Sequence, residues 1–219
     1  MRPGARLVVL GRQGAGKGTQ CLRLSRHYVV PHISTGDMLR AAVKAETELG
    51  KQAGALMAEG ALVPDSLMVG IVRERLNEDD TTQRGYILDG FPRTVAQAEQ
   101  LADITAEQPL DVVVDLDVPE EVVLQRLASR RVCVDCGTNY SLDEPPKYGW
   151  TCDNCGGEVI QREDDTPEAI QKRLDAYERE TSPLVKWYSD RGLLEVVDGL
   201  GEPDEVTARL IAAIDAYLG

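Results

Sequence analysis

The sequence predicts an α/β protein built on a parallel five-stranded sheet with helices on both faces. Short apolar runs alternate with longer segments of helical spacing along most of the chain. Parallel strands that are buried on both faces have such unbroken apolar runs, and the connections between them are usually helices. Ligands of these folds bind at the carboxyl ends of the strands. The predicted strands are residues 6–10, 32–34, 86–89, 112–117 and 193–197.

Length and composition limit the possible classes of protein. The chain has 219 residues, 42% of them hydrophobic, which suits one globular unit with a buried core and an inserted subdomain. No run approaches the roughly 18 apolar residues of a spanning helix, and the run before Gly11 is too short for a signal peptide, so we expect a cytoplasmic protein without a membrane partner. A net charge of −13 argues against a broad nucleic-acid-binding face.

The first predicted strand is followed by the glycine-rich stretch "GRQGAGKGTQ", residues 11–20. The spacing of Gly11, Gly16 and Lys17 is typical of a phosphate-binding loop (P-loop), whose backbone N–H groups face phosphate oxygens. The match is imperfect, because Gly18 separates the lysine from Thr19 and the general motif has Ser or Thr directly after the lysine. A glycine-rich turn with a surface lysine is the alternative for this motif alone.

Four of the five cysteines lie in residues 131–163, in the pairs "CVDCG" and "CDNCG" with fifteen residues between them. This is the spacing of a four-thiolate zinc site in a ribbon-like hairpin pair. The ligands would be Cys133, Cys136, Cys152 and Cys155. They leave no coordination position open, so the Zn²⁺ would be structural and would stabilise a segment too poor in apolar residues for its own core. Iron–sulfur binding and free thiols are the alternatives, and Cys21 is expected to be a small buried hydrophobe.

Four further motifs contain arginine, and three of them also contain Asp or Gly: "STGDMLR" (34–40), "ILDGFPRT" (87–94), "QRLASRR" (125–131) and "QREDDTPEAIQKRL" (161–174). Together with the P-loop they resemble the adenylate kinases, in the long form whose lid binds zinc through four cysteines. The resemblance runs from about residue 6 to about residue 199, with the motifs in the family's order.

The resemblance implies an architecture and a reaction. It implies a P-loop NTPase-like core of residues 1–34, 65–125 and 166–219, a helical insertion of residues 35–64 that binds the nucleoside monophosphate (NMP), and a zinc-ribbon-like lid of residues 126–165. The implied reaction is MgATP + AMP ⇌ 2 ADP by direct in-line transfer, with Mg²⁺ and structural Zn²⁺ as cofactors. The implied partners are ATP and AMP or ADP, without a nucleic acid polymer, and the implied state is a monomer. Such chemistry needs positioned cations and a closing lid rather than a nucleophile.

The resemblance also assigns residues by matching position. ATP would be held by the loop amides and its lysine, with an arginine over the adenine: Gly14, Ala15, Gly16, Lys17, Gly18, Thr19 and Arg126. AMP would be held by two arginines at its phosphate and by groups that line and read its base: Thr35, Arg40, Met57, Val63, Gly90, Arg93 and Gln97. The groups that meet the transferred phosphoryl, order the water around Mg²⁺ or engage arginines on closure would be Lys17, Asp89, Arg93, Arg130, Arg162, Asp164, Asp165 and Arg173.

Several assignments have simpler alternatives. Asp165 or Thr166 would serve only as the N-cap of a helix that begins near Pro167, Gln97 would be an exposed helix residue, and Asp89 would merely end its strand.

Two other functions also remain open. A UMP/CMP kinase or another NMP kinase would share the loop and most arginines. A zinc-ribbon module for nucleic acid, carried on an NTPase core, is the alternative from another class. The chain departs from the commonest family pattern at Arg12, Gln13 and Glu163.

Overall fold

The structure is a computed structural model that describes residues 4–59, 61–162 and 164–219. Its strands are β1 Ala5–Leu10, β2 His32–Ser34, β3 Gly85–Asp89, β4 Val112–Asp117, β5 Arg130–Cys133, β6 Asn139–Ser141, β7 Val159–Ile160 and β8 Leu194–Asp198. The main sheet has the order β2–β3–β1–β4–β8, and all of its neighbouring strands are parallel. All five predicted strands are present with bounds within one residue of those expected, and the fold class is confirmed.

Helices connect the strands and cover both faces of the sheet. They are α1 Lys17–Tyr28, α2 Thr35–Lys44, α3 Glu48–Ala58, α4 Asp65–Leu76, α5 Asp79–Arg84, α6 Val95–Ile104, α7 Glu120–Ser129, α8 Pro167–Ala176, α9 Pro183–Ser189 and α10 Pro203–Leu218. A π-helical turn, Tyr177–Thr181, joins α8 to α9. No helix within the described ranges has the length and apolar character needed to cross a membrane.

The core lies on both faces of the sheet because side chains of a strand alternate in direction. In β1, Leu7 and Val9 pack into the cluster under α1, α7 and α10, whereas Val8 and Leu10 pack into the cluster under α4, α6 and α9. Both faces are therefore apolar, which explains the unbroken apolar run from which the parallel sheet was predicted.

The cysteine-containing segment forms a separate small antiparallel sheet of order β6–β5–β7. Its buried apolar cluster contains only Cys133, Cys152 and Val159, with Tyr140 partly buried against it. A core of this size gives little stability from apolar burial alone. The observation agrees with the expectation that this segment needs a metal.

Candidate active site

The P-loop connects β1 to α1 at the carboxyl end of the sheet, where the fold places ligands. Gly16 is the N-cap of α1 and has a φ of 101°, a left-handed conformation that favours glycine. The Lys17 ammonium donates hydrogen bonds to the carbonyls of Gly11 at 2.6 Å and Arg12 at 2.8 Å. Burial lowers the pKa of Lys17 to about 8, against the opposing charge of Asp89. The structure therefore has the strand, the glycine-rich loop with its lysine and the helix in the arrangement of a P-loop.

Two arginines contribute charge at this loop, Arg12 from within it and Arg126 from α7. Arg126 extends from α7, and its Nη1 donates to the carbonyl oxygen of Ala15 at 3.1 Å. Arg12 pairs through Nε and Nη2 with Glu178 Oε1, at 3.0 and 2.6 Å, and its guanidinium lies 5.6 Å from the centre of the Tyr177 ring. The positive charge that Arg12 adds to this loop is therefore paired with Glu178 of the π-helical turn.

All seven residues assigned to AMP line one pocket beside the end of β3. They are Thr35, Arg40, Met57, Val63, Gly90, Arg93 and Gln97. The same pocket is lined by Leu39 and Met68, which the sequence analysis did not name, and by Asp164 and Arg173. It combines apolar walls with three guanidinium groups, which suits a flat base attached to a phosphate.

Gln97 is buried, which excludes the alternative that it is merely an exposed helix residue. Its Oε1 accepts the backbone N–H of Arg93 at 2.7 Å, and its Nε2 donates to Asp65 Oδ1 at 2.6 Å. Asp65 Oδ2 also accepts from the hydroxyl of Thr94 at 2.9 Å. The orientation of the amide is fixed by these bonds. Sequence reasoning missed Asp65, although it follows directly on the turn at Pro64 that ends the predicted insertion.

A network of arginines and aspartates joins the small sheet to α8. Arg130 binds both carboxylate oxygens of Asp165, with 2.8 Å between Nε and Oδ2. Arg173 Nη1 lies 3.2 Å from Asp165 Oδ1 and 3.1 Å from Asp164 Oδ2. The N-cap of α8 is Thr166, whose side chain accepts the N–H of Ala169. Of the two residues offered as the cap, Thr166 has that role, and the alternative that Asp165 is only a cap is excluded.

Cations outnumber their partners at the edge of this network. Burial lowers the pKa of Arg93 to about 10, and the neighbouring charge of Arg173 acts in the same direction. Burial also lowers the pKa of Arg162 to about 10, with Arg130 contributing. The Arg162 Nε is buried and lacks a hydrogen-bond partner among the described residues. Glu163, one of the departures from the family pattern, lies outside those residues. Crowded, buried cations of this kind favour an anionic ligand.

Comparisons with known proteins agree with this arrangement. The family model described as adenylate kinase matches residues 9–193. The chain belongs to the adenylate kinase family.

Curated relatives match it over almost their whole length. The adenylate kinase of Thermodesulfovibrio yellowstonii is 50% identical over 96% of this chain and 99% of its own. Those of Caldicellulosiruptor bescii and Staphylococcus epidermidis are 47% and 46% identical, each over 95% of this chain and 98% of the relative. The chain is therefore a nucleotide phosphotransferase, as its motifs predicted.

Asp89 ends β3 on the floor of this adenylate kinase cleft and is only 9% exposed. A side chain at Gly18 would begin 3.7 Å from Asp89 Oδ2, so the carboxylate faces the start of α1. His32 Nε2 lies 3.4 Å from the same oxygen, and the Thr35 hydroxyl donates to the backbone carbonyl of Asp89 at 3.3 Å. The Asp89 carboxylate therefore lies beside the P-loop helix.

The four paired cysteines of this adenylate kinase come together at one point of the small sheet. Their sulfur atoms all lie within 4.8 Å of one another, and the Cys133–Cys155 and Cys136–Cys152 sulfur pairs are each 3.5 Å apart. A disulfide needs about 2.05 Å. Four thiolates at about 2.3 Å from a tetrahedral Zn²⁺ are separated by about 3.8 Å. The donor set and its spacing fit zinc.

Proposed function

We propose that this adenylate kinase transfers the γ-phosphoryl group of MgATP directly to the α-phosphate of AMP, and the reverse, without a covalent enzyme intermediate. The observation that carries the proposal is the pocket into which all seven predicted AMP residues converge, next to the P-loop and the arginine network. A binding site for a second nucleotide distinguishes an NMP kinase from an NTPase that uses water.

The P-loop would hold the phosphates of ATP through the backbone N–H groups of residues 14–19. Lys17 lies at the mouth of this loop, where phosphate oxygens would replace its two carbonyl partners. Arg126 already rests on the backbone of Ala15 and would cover the adenine. Mg²⁺, when bound, neutralises charge on the β- and γ-phosphates, and Asp89 would order its water ligands. The buried carboxylate beside Gly18 suits that role.

The AMP base would lie against Leu39 and Met57 and be selected by Gln97. The amide of Gln97 has one N–H and one oxygen lone pair unused after its bonds to Asp65 and Arg93. Because these bonds fix which end is oxygen and which is nitrogen, the free groups suit a base that offers an acceptor beside a donor, as N1 and N6 of adenine do. Uracil and guanine offer the opposite order, whereas N3 and N4 of cytosine offer the same order as adenine, so this amide separates AMP from UMP and GMP but not from CMP. Arg40 and Arg93 would bind the phosphate.

The transferred phosphoryl group would be met by Arg130, Arg162 and Arg173. These arginines come from β5, the segment before α8, and α8 itself, so their positions depend on how the small sheet lies over the core. Asp164 and Asp165 hold two of them in place. Preorganised cations stabilise charge in a loose phosphoryl-transfer transition state, and a closing lid excludes water.

The domain division 1–34, 65–125 and 166–219 (core), 35–64 (NMP insertion) and 126–165 (lid) is proposed on the same resemblance. Cys133, Cys136, Cys152 and Cys155 would hold a structural Zn²⁺ that lets the lid move as one rigid unit. A monomer in the cytoplasm is proposed from the family resemblance alone.

The proposal is tested by offering AMP, CMP, UMP and GMP in turn with MgATP to the wild-type protein and to Gln97→Leu. We expect AMP to be strongly preferred, and Gln97→Leu to raise the KM for AMP at least about tenfold, because its buried hydrogen-bonding groups are lost. Gln100→Leu, an exposed change on the same helix, is the matched control and should leave the KM unchanged. Equal rates with all four acceptors, or an unchanged KM in Gln97→Leu, would contradict the assignment.

A further inference from the structure

A second group of side chains that could hold a metal ion lies in the core domain, away from the lid cysteines. The ligand atoms of Cys21, His32 and Asp89 all lie within 4.8 Å of one another. Cys21 belongs to α1, His32 begins β2 and Asp89 ends β3, so three packed elements of the core position them. Cys21 is completely buried, as the sequence predicted, whereas the side chains of His32 and Asp89 are 11% and 12% exposed.

The separation of His32 from Asp89 is long for a hydrogen bond and matches that of two ligands of one metal ion. His32 Nε2 and Asp89 Oδ2 are 3.4 Å apart, beyond the usual 2.7–3.2 Å for N–H···O bonds. A nitrogen and an oxygen that each lie about 2.05 Å from a tetrahedral Zn²⁺ are separated by about 3.4 Å. In the same site the sulfur would lie about 3.6 Å from the nitrogen and from the oxygen. The present separations are at most 4.8 Å, so a shift of the Cys21 sulfur by about 1 Å would reach this geometry.

We infer that Cys21, His32 and Asp89 form a second, inhibitory site for Zn²⁺ or a similar thiophilic divalent cation. One thiolate, one carboxylate and one neutral imidazole balance the charge of the ion and leave its fourth position open to the cleft. Mg²⁺ prefers six oxygen ligands and binds thiolate poorly, so this donor set discriminates against the cation that accompanies ATP.

Binding here would be weaker than in the lid and would interfere with catalysis. The Cys21 thiol must release its proton to the solvent when the metal–sulfur bond forms, and burial raises the pKa of that thiol. A bound ion would occupy the Asp89 carboxylate and so withdraw it from the water shell of Mg²⁺ and from the neighbouring Lys17. The inhibition, though not the binding, rests on the function proposed above for Asp89.

The test begins with protein whose lid is filled with one equivalent of Zn²⁺, verified by native mass spectrometry. Co²⁺ is then added, and the sulfur-to-cobalt charge-transfer absorption is recorded together with the retained zinc. We expect one further equivalent to bind with thiolate absorption. Cys21→Ala, Cys21→Ser and His32→Asn should each weaken that binding at least about tenfold. His27→Asn, which changes the other histidine of the chain, is the matched control.

Activity provides the second measurement. Zn²⁺ added at fixed Mg²⁺ should inhibit the wild-type enzyme and His27→Asn, whereas Cys21→Ala should keep its activity at the same zinc concentration. No second equivalent, or equal cobalt binding by Cys21→Ala, overturns the site. Binding without inhibition would overturn the inhibitory role alone. Because the cobalt absorption needs no turnover, its outcome is independent of whether the proposed kinase reaction is correct.

Discussion

Asp165→Asn should destabilise the protein by about 3 kcal/mol. The side chain of Asp165 is 0% exposed and is the only one to contact both Arg130 and Arg173 among the described residues. Asparagine keeps the shape and one acceptor oxygen but removes the charge. Breaking a buried ion pair by removing one partner costs about 3–5 kcal/mol. The lower end applies here, because the two arginines keep 16% and 14% of their side chains exposed and Arg173 retains Asp164.

The assay is urea denaturation at neutral pH, with thermal melting alongside. For a chain of this length about 3 kcal/mol corresponds to a melting temperature lower by about 6–12 °C. Asp164→Asn is the matched control, because Asp164 is 19% exposed and forms an ion pair only with Arg173 within the described part of the chain, so about 1 kcal/mol is expected. Equal losses in the two variants, or a loss under about 1 kcal/mol for Asp165→Asn, would refute the view that Asp165 is the centre of the network.

Three further predictions concern the cleft and the lid. Arg93→Ala should lower kcat/KM at least about a hundredfold, because it removes a charge that must be positioned at the phosphate, and it should change the melting temperature little. Arg73→Ala, at an exposed position, is the control, and a near-normal rate in Arg93→Ala would contradict the role of Arg93 in the site. Stripping metal from the lid should lower the melting temperature, most of all for the small sheet in hydrogen exchange, and unchanged melting after verified metal loss would contradict structural zinc. In steady-state kinetics kcat/KM for MgATP should fall above pH 8, because the pKa of Lys17 in the free protein is about 8 and the neutral amine binds phosphate less well. The folded-state pKa of Lys17 lies below the ordinary 10.5, so between these two values the unfolded chain binds more protons, and this group makes folding more favourable as pH rises. A kcat/KM that stays constant to about pH 10 would disprove the role of Lys17 in binding phosphate.

Local patterns in the sequence were enough to predict the sheet, whereas the residues of the candidate site were assigned through the family resemblance. Each main-sheet strand is a run of apolar residues between turn signals, so its position depends on nearby residues alone. Parallel strands bring their carboxyl ends to one edge, so residues that follow different strands had to converge there. This explains why Thr35 after β2 and Gly90 and Arg93 after β3 line one pocket, although nothing in the chain between them codes for the contact.

Residues whose role depends on tertiary contacts had no comparable pattern in the local sequence. Asp65 fixes the Gln97 amide from 32 positions away, and it would pass for an ordinary first-turn acid of α4. His32 resembles any polar residue at the start of a strand until the fold places it beside Asp89. Such roles depend on distances of a few ångströms between elements, which periodicity does not specify.

The departure at Arg12 shows how a tertiary contact replaces a local constraint. The commonest family pattern has a small residue or proline at Arg12 and proline at Gln13, and proline restricts the loop by fixing its own φ. Here the Arg12 guanidinium pairs with Glu178 and lies over the Tyr177 ring. A partly exposed ion pair contributes about 0.2–1 kcal/mol and a cation–π contact about 0.5–1 kcal/mol. Their sum, roughly 0.7–2 kcal/mol, is comparable to the entropic benefit of about 0.4–1 kcal/mol from a loop proline. The contact also ties the P-loop to the turn that follows α8, so the loop lysine and Arg173 are held relative to each other by a bond between side chains 166 positions apart in the sequence.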